Sequence, residues 1–459
     1  MQSPVMRKVL PTIVLPAAAL SLGFGGLGNN KAEVMQEMLL PDAVGVKTLQ
    51  NTPWSALPGD PAPEAEAIVK RYLATLQSMG LNPNEQGVWL QSGPSLFVNH
   101  QGNQPLSAAS LTKIATSLAA LETWGPGHQF ETRVYANGPI QNGVLQGNLV
   151  VEGTGDPMFV WEEAIALGNA LNQAGISQIT GELIIVGNFL MNFDFDPVKS
   201  GNFLKQAINS KAWQGGVSAQ YAEMKPQPNK PTVVIQGNVR AVPTIDANQM
   251  GLTPVVNHKS LPLLQLVKRL NVYSNNVMSE VLSRLIGGPQ ITAERAARAA
   301  SISQNEVLLI NGSGLGVENR ISPQASVQMF TALARYAERG GFTISDLFPV
   351  SGRDVGTLID RSIPKNTVVK TGTLNEVCAL AGVLPTRDRG LVWFSIINRG
   401  SQIEALRNQQ DILLQQLQAA WGKPATLAKT VTPNPAIDAS TAKLGAIERN
   451  EILGGTAAR

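Results

Sequence analysis

Three strand candidates, Thr367 to Thr373, Val377 to Leu384 and Leu391 to Asn398, follow one another through short turns. An amphipathic helix comes next, with Ile403, Leu406, Leu413, Leu417 and Trp421 on one face. Strands of this kind, set among helical stretches, point to a mixed α/β (α+β) fold. Upstream, Ala67, Ile68, Tyr72, Leu73, Leu76 and Met79 recur at three- and four-residue spacing, so Glu64 to Met79 reads as a helix that Gly80 stops. Val88 to Leu90 and Leu96 to Val98 flank a Ser-Gly-Pro-Ser turn, a hairpin signal. An apolar helix runs from Ser110 to about Thr123, with Gly125 and Pro126 ending it. Helical pattern returns at Pro262 to Leu270 and at Asn276 to Ile286.

Between these blocks, from about Glu131 to Ile245, the character changes. The ends are β-rich, one helix is expected between Trp161 and Ala174, and a tight Gly153-Thr154-Gly155-Asp156-Pro157 turn precedes it. A chain of 459 residues exceeds one average domain, so an insertion is the natural reading. The expected organisation is one principal domain over 63–130 and 246–423, an inserted subdomain over 131–245, a linker over 31–62 and a disordered tail over 424–459. Arg7 and Lys8 precede an apolar run from Val9 to Leu27 that Pro11 and Pro16 interrupt. That is a poor spanning helix but an acceptable signal-peptide core, so residues 1–30 read as an export signal or N-terminal anchor. Export places the chain in the periplasm or on the outer face of the membrane.

Composition removes several classes of chemistry. Lys plus Arg number 36 and Asp plus Glu 33, too even a balance for nucleic acid. The single cysteine, Cys378, supports neither an internal disulfide nor a metal cluster, and it alternates with apolar neighbours as a buried small side chain would. The histidines, His100, His128 and His258, have no metal-ligand spacing, and no serine sits in a G-x-S-x-G elbow. No metal or cofactor is expected.

Three short motifs remain. In Ser110-Leu111-Thr112-Lys113, positions i and i+3 share a helix face, so hydroxyl and amine can meet. A serine hydroxyl is a weak nucleophile until a base takes its proton, and a lysine serves as that base only if its pKa is lowered, as burial on an apolar helix would do. Ser274-Asn275-Asn276 lies at the junction of two helices, where a second hydroxyl can relay a proton and Asn276 can orient Lys113 or substrate. Lys370-Thr371-Gly372-Thr373 ends an apolar strand, where a lysine and hydroxyls can hold a carboxylate and Gly372 leaves room at the strand edge. Singly, each pattern has decoys: Ser440 with Lys443 repeats the first, Ser303 with Asn305 and Ser200 with Asn202 the second, and Lys199 with Ser200 and Gly201 the third. Only Ser110, Ser274 and Lys370 combine a buried-looking helix start, an inter-helix loop and a core strand end in the expected order.

That set is the signature of penicillin-binding proteins and serine β-lactamases. Ser107 to Lys113, Gly155-Asp156-Pro157, Ile179 to Leu183, Asn311-Gly312-Ser313-Gly314-Leu315 and Lys370 to Leu374 resemble the low-molecular-mass penicillin-binding proteins of the D-Ala-D-Ala carboxypeptidase type, peptidase family S13. The resemblance implies a transpeptidase-like fold with an inserted β-rich subdomain, and a carboxypeptidase or endopeptidase acting on peptidoglycan peptides and acylated by β-lactams. It implies Ser110 as nucleophile, Lys113 as base, Ser274 with Asn276 as the proton route to the leaving group, and Lys370, Thr371, Gly372 and Thr373 as the carboxylate site. Backbone N–H groups of Ser110 and Thr373 would form the oxyanion hole. Lys113 and Ser274 stand 161 positions apart (274 − 113), short for the family, so part of the insertion is expected to be reduced. Asn275 replaces the aspartate of the S-D-N form. A β-lactamase, which would turn a penicillin over, and a non-catalytic wall-binding homologue, which would usually lack a motif residue, are the alternatives.

Overall fold

The computed structural model describes residues 57–58, 62–245, 251–437 and 443–454. The expected signal segment and nearly all of the expected linker lie outside the described residues.

The three C-terminal strands form as Val368–Leu374, Val377–Pro385 and Leu391–Arg399 and pair antiparallel in sequence. The last pairs with Gly87–Ser92, which pairs with Ser95–His100 across the expected hairpin, and Leu57–Pro58 adds a parallel edge. Val368–Leu374 is therefore the opposite edge of a six-stranded sheet. Every residue from Val377 to Pro385 is buried, because both faces are covered and the strand reads as a continuous apolar run. Cys378, Leu380 and Leu384 meet the helices Pro63–Ser78 and Ile403–Trp421. Ala379, Ala381 and Val383, one step out of phase, meet the helical layer on the other side.

That second layer is built around the helix Thr112–Trp124, buried at every position from Thr112 to Leu121. The expected helices Leu263–Tyr273 and Asn276–Ile286 pack against it, joined by Pro289–Ala300 and Pro323–Arg339. The last two were not read from the sequence. Both start with proline in the first turn, and Ser322 accepts a hydrogen bond from Ala325 N to cap the second.

A second six-stranded sheet has the order Val239–Val242, Leu183–Gly187, Asn148–Gly153, Glu131–Asn137, Thr253–Lys259 and Asn450–Ile452. It differs from the sequence reading in three ways. It runs beyond residue 245 to take in Thr253–Lys259, which returns antiparallel beside Glu131–Asn137. The expected single helix, found as Trp161–Gln173, is joined by Pro197–Ala207 and Gly216–Glu223. Asp196 caps Pro197–Ala207, and Gly201 lets it lie close to the sheet, since a Cβ there would come within 2.5 Å of Val239 and 2.8 Å of Ile185. Thirdly, the tail over 424–459, expected to be disordered, contributes the edge strand Asn450–Ile452. Leu427, Ile437 and Leu444 pack on the core of the helical layer and Ile447 on that of the second sheet. Such scattered anchors have no helical or strand period, which is why the pattern gave no sign of them.

Candidate active site

Ser110 sits in a one-turn 3-10 segment, Ala109–Leu111, directly before the buried helix Thr112–Trp124. The turn is tight: Ala109 has φ 47°, a left-handed conformation that alanine seldom adopts and that concentrates at functional sites. Two glycines let other segments reach it. A Cβ on Gly314 would lie 1.9 Å from Ala109 O, and one on Gly372 would lie 2.9 Å from Ala108 O and 3.1 Å from Ser110 N. The edge strand Val368–Leu374 and the loop around Ser313 thus both run against the backbone of the serine turn. Gly372 is required first by this close approach of chain to chain.

Lys113 lies one helical turn on and is fully buried. Its Nζ is 2.9 Å from Ser110 Oγ, 2.8 Å from Asn276 Oδ1 and 2.6 Å from the carbonyl of Ser313. Burial pulls its pKa down to about 7, and the carboxylate of Glu280 opposes that shift. A neutral amine has two N–H donors and one lone pair. With Asn276 Oδ1 and Ser313 O accepting the two donors, the lone pair is left facing Ser110 Oγ, as a general base requires.

Ser274 closes the helix Leu263–Tyr273 in the left-handed region, at φ 52°. Asn275 then caps the next helix, its Oδ1 accepting from Met278 N at 3.0 Å. Aspartate and asparagine both cap through that oxygen, so Asn275 fills the middle position of the motif without touching the chemistry. Ser274 Oγ accepts from Lys370 Nζ at 3.0 Å, and the same amine donates to Thr371 O at 2.8 Å. Lys370 is also fully buried, and burial first, then the charge of Lys113, hold its pKa well below the usual lysine range. The structure therefore assembles two hydrogen-bonded groups, Ser110 and Asn276 on Lys113 and Ser274 on Lys370, near enough for the charge of Lys113 to bear on Lys370. Along the edge strand, side chains alternate. Lys370 and Gly372 face the serine turn, while Thr371 and Thr373 hold the other positions; the exposed Thr373 Oγ1 accepts from Arg407 Nη2 at 3.1 Å.

Two contributors were missed. The Ser313 carbonyl belongs to the Gly312-Ser313-Gly314 loop, which carried part of the resemblance without being given a role, and Glu280 was not singled out. The Asp156 carboxylate closes its own turn, Oδ1 accepting from Met158 N at 2.9 Å, and burial raises its pKa to about 6. Among the decoys, Ser200 is buried and engaged with Met191 N and Asp194 O, while Ser440 lies outside the described residues.

The sheet-and-helix layering and the paired Ser110–Lys113 and Ser274–Lys370 groups define an active-site-serine acyl-transfer protein of the penicillin-binding type. The sequence pattern of the D-Ala-D-Ala carboxypeptidase 3 (S13) family matches residues 75–189 and 230–420, and the chain belongs to that family. It is similar to the D-alanyl-D-alanine carboxypeptidase DacB of Haemophilus influenzae, 24% identical over 64% of this chain and 80% of that protein. Among solved structures it is similar to a predatory endopeptidase of Bdellovibrio bacteriovorus, acylated by penicillin G and in complex with an immunity protein. The TM-score there is 0.65 and the identity 21%, over 75% of this chain and 94% of the other. Penicillin-binding protein 4 of Haemophilus influenzae matches with a TM-score of 0.57 and 21% identity, over 76% and 99%.

Proposed function

We propose that the protein is a penicillin-sensitive serine D-Ala-D-Ala carboxypeptidase, with endopeptidase cleavage as a second use of the same site, acting on peptidoglycan stem peptides. The observation that carries this reading is the 2.9 Å approach of a buried amine, Lys113 Nζ, to Ser110 Oγ, with the amine's other two contacts held by fixed acceptors. Family membership supplies the substrate class, and the penicillin-acylated neighbour supports β-lactams as covalent inhibitors.

The chemistry follows from the geometry. Ser110 Oγ attacks the carbonyl between two D-alanines as its proton passes to Lys113 Nζ, giving a tetrahedral intermediate and a lysine ammonium. The backbone N–H groups of Ser110 and Thr373 are the proposed donors to its oxyanion. Collapse breaks the C–N bond, and Ser274 Oγ, bonded to Lys370, gives the departing nitrogen a proton. Ser274 regains one through Lys370 and Lys113. D-Alanine leaves, or a longer chain in an endopeptidase cut. Water then attacks the ester on Ser110 as its proton passes to Lys113, and the C–O bond breaks as Lys113 returns that proton to Ser110 Oγ. Lys370 would hold the terminal carboxylate from the side of Ser274, with the hydroxyls of Thr371 and Thr373, which alternate to the other face, reaching it around the open edge of the strand. The test is D-alanine release from a peptide ending in D-Ala-D-Ala: the native protein should release it and Ser110→Ala should not. Equal release by both would refute the assignment.

We further propose that the protein works in the periplasm or on the outer face of the membrane. The positive flank at Arg7 and Lys8, ahead of the apolar run to Leu27, supports this. Cell fractionation that recovers the full-length protein in the cytoplasm would refute it.

A further inference from the structure

We propose that Glu280 is the positioning residue that holds Lys113 as a base, by clamping the backbone of the Ser313 loop and by facing the amine with a negative charge. This rests on the reading of Lys113 as the base for Ser110. Glu280 Oε1 accepts from Ser313 N at 2.9 Å and Oε2 from Gly312 N at 3.3 Å. Both carboxylate oxygens thus grip consecutive amides of the loop whose next group, the Ser313 carbonyl, accepts from Lys113 Nζ at 2.6 Å. The Gly312 carbonyl is held as well, accepting from Thr116 Oγ1 at 2.8 Å and Ser279 Oγ at 2.6 Å. The clamp and the second acceptor come from one element: Asn276 and Glu280 are four residues apart on the helix Asn276–Ile286 and share a face. One helix thereby sets both acceptors that aim the lysine lone pair, Asn276 directly and the Ser313 carbonyl through Glu280. There is no room for the loop to shift towards that helix, since a Cβ on Gly312 would lie 2.4 Å from Ser283 Cβ and 2.6 Å from Ser279 O.

The charge acts in the same place. The charged group that bears on Lys113 is Glu280 from the neighbouring helix, and the other buried amine of the site, Lys370 on the edge strand, is itself held low by burial first and then by Lys113. Burial favours loss of the Lys113 proton, while the charge of Lys113 helps keep that second amine unprotonated. An amine stripped too far down would be a poor acceptor for the serine proton. Glu280 supplies the opposing pull.

The experiment is the rate of covalent labelling by a penicillin as a function of pH, for the native protein, Glu280→Gln and Glu280→Asp. Labelling of the native protein at Ser110 tests the underlying mechanism; movement of the midpoint between variants tests the role of Glu280. Glutamine removes the charge, so the ammonium is less favoured and Lys113 loses its proton at lower pH. The rise in rate should move down by on the order of one pH unit, and the plateau should fall about tenfold or more because the base is weaker and the loop less firmly held. Aspartate keeps the charge but shortens the clamp, so the midpoint should stay within a few tenths of a unit while the plateau falls. A Glu280→Gln profile that superimposes on the native one overturns the proposal. If that variant does not fold, Glu280→Asp decides: an unmoved midpoint with a lowered plateau supports it, and a midpoint displaced by a full unit or an unchanged plateau overturns it.

Discussion

Lys113 and Lys370 are both buried amines, yet the residues around them give them different work. Lys113 has two fixed acceptors and faces the proposed nucleophile, so as the proposed base it cycles between amine and ammonium. Lys370 reaches Ser274 and a backbone carbonyl on its own strand, so it can bind and relay. Arginine keeps the charge and cannot deprotonate in practice. Lys113→Arg should therefore slow penicillin acylation by ~10²–10⁴-fold, while Lys370→Arg should retain a larger share of the native rate. Stopped-flow acylation of the two variants makes the comparison; equal rates would show that the proton goes elsewhere. The pH dependence has a definite sign. The base is the unprotonated amine with a pKa lowered to about 7, so acylation should rise as pH passes through about 7 and level off above it. A rate that falls over that range would contradict Lys113 as base. At this scale the sequence was informative where a motif is local: Ser110 and Lys113 share a helical turn, and their contact follows from spacing. Ser274 and Lys370 meet across 96 positions, and their pairing could be anticipated only from the resemblance. Glu280 was unreadable because it binds backbone amides, and an amide carries no mark of its partner in the sequence.

Among the elements, the edge strand and the serine turn depend on missing side chains. Gly314 has φ +87° and would drive a Cβ to 1.9 Å from Ala109 O. Gly314→Ala should cost about 1–3 kcal/mol from backbone strain alone, with further loss from the clash, and should lower acylation. Thermal unfolding with penicillin labelling checks both; native values in each would contradict the close packing of loop on turn. The helices that cover the sheet were read well where apolar residues repeat, as in Ile403–Trp421, whose Leu406, Leu413, Leu414 and Leu417 are buried. Pro197–Ala207 escaped because its buried face is made largely of small residues, Ser200, Gly201 and Ala207, which give little hydrophobic period. Cys378 behaves as its neighbours suggested: it is buried on the strand face towards the covering helices, and burial pushes its thiol up to about 11.

Across the whole molecule, the proposed catalytic group lies where the helical layer meets the edge of the first sheet, and the C-terminal residues fasten the second sheet at its own edge. Arg449 donates to both oxygens of the buried Glu163 at 2.6 and 2.8 Å, and His258 Nδ1 lies 3.0 Å from Asn450 Oδ1 beside it. Burial raises the Glu163 pKa to about 8 even beside Arg449, so without Arg449 the carboxyl takes up a proton, and Arg449→Ala should lose about 1–3 kcal/mol through the buried hydrogen bonds left unmade. A melting temperature equal to the native one would show that the tail contributes nothing. The fold class was legible because the strand run is continuously apolar and the covering helix Ile403–Trp421 repeats its apolar residues on one face. The tail was not, because its stability comes from a few long-range contacts. The most direct test of the central claim is intact-mass and peptide-mapping analysis after incubation with penicillin. One adduct per chain, mapped to Ser110 and absent from Ser110→Ala, is the expected result; an adduct on Ser274 or Ser440, or undiminished labelling of Ser110→Ala, would contradict it.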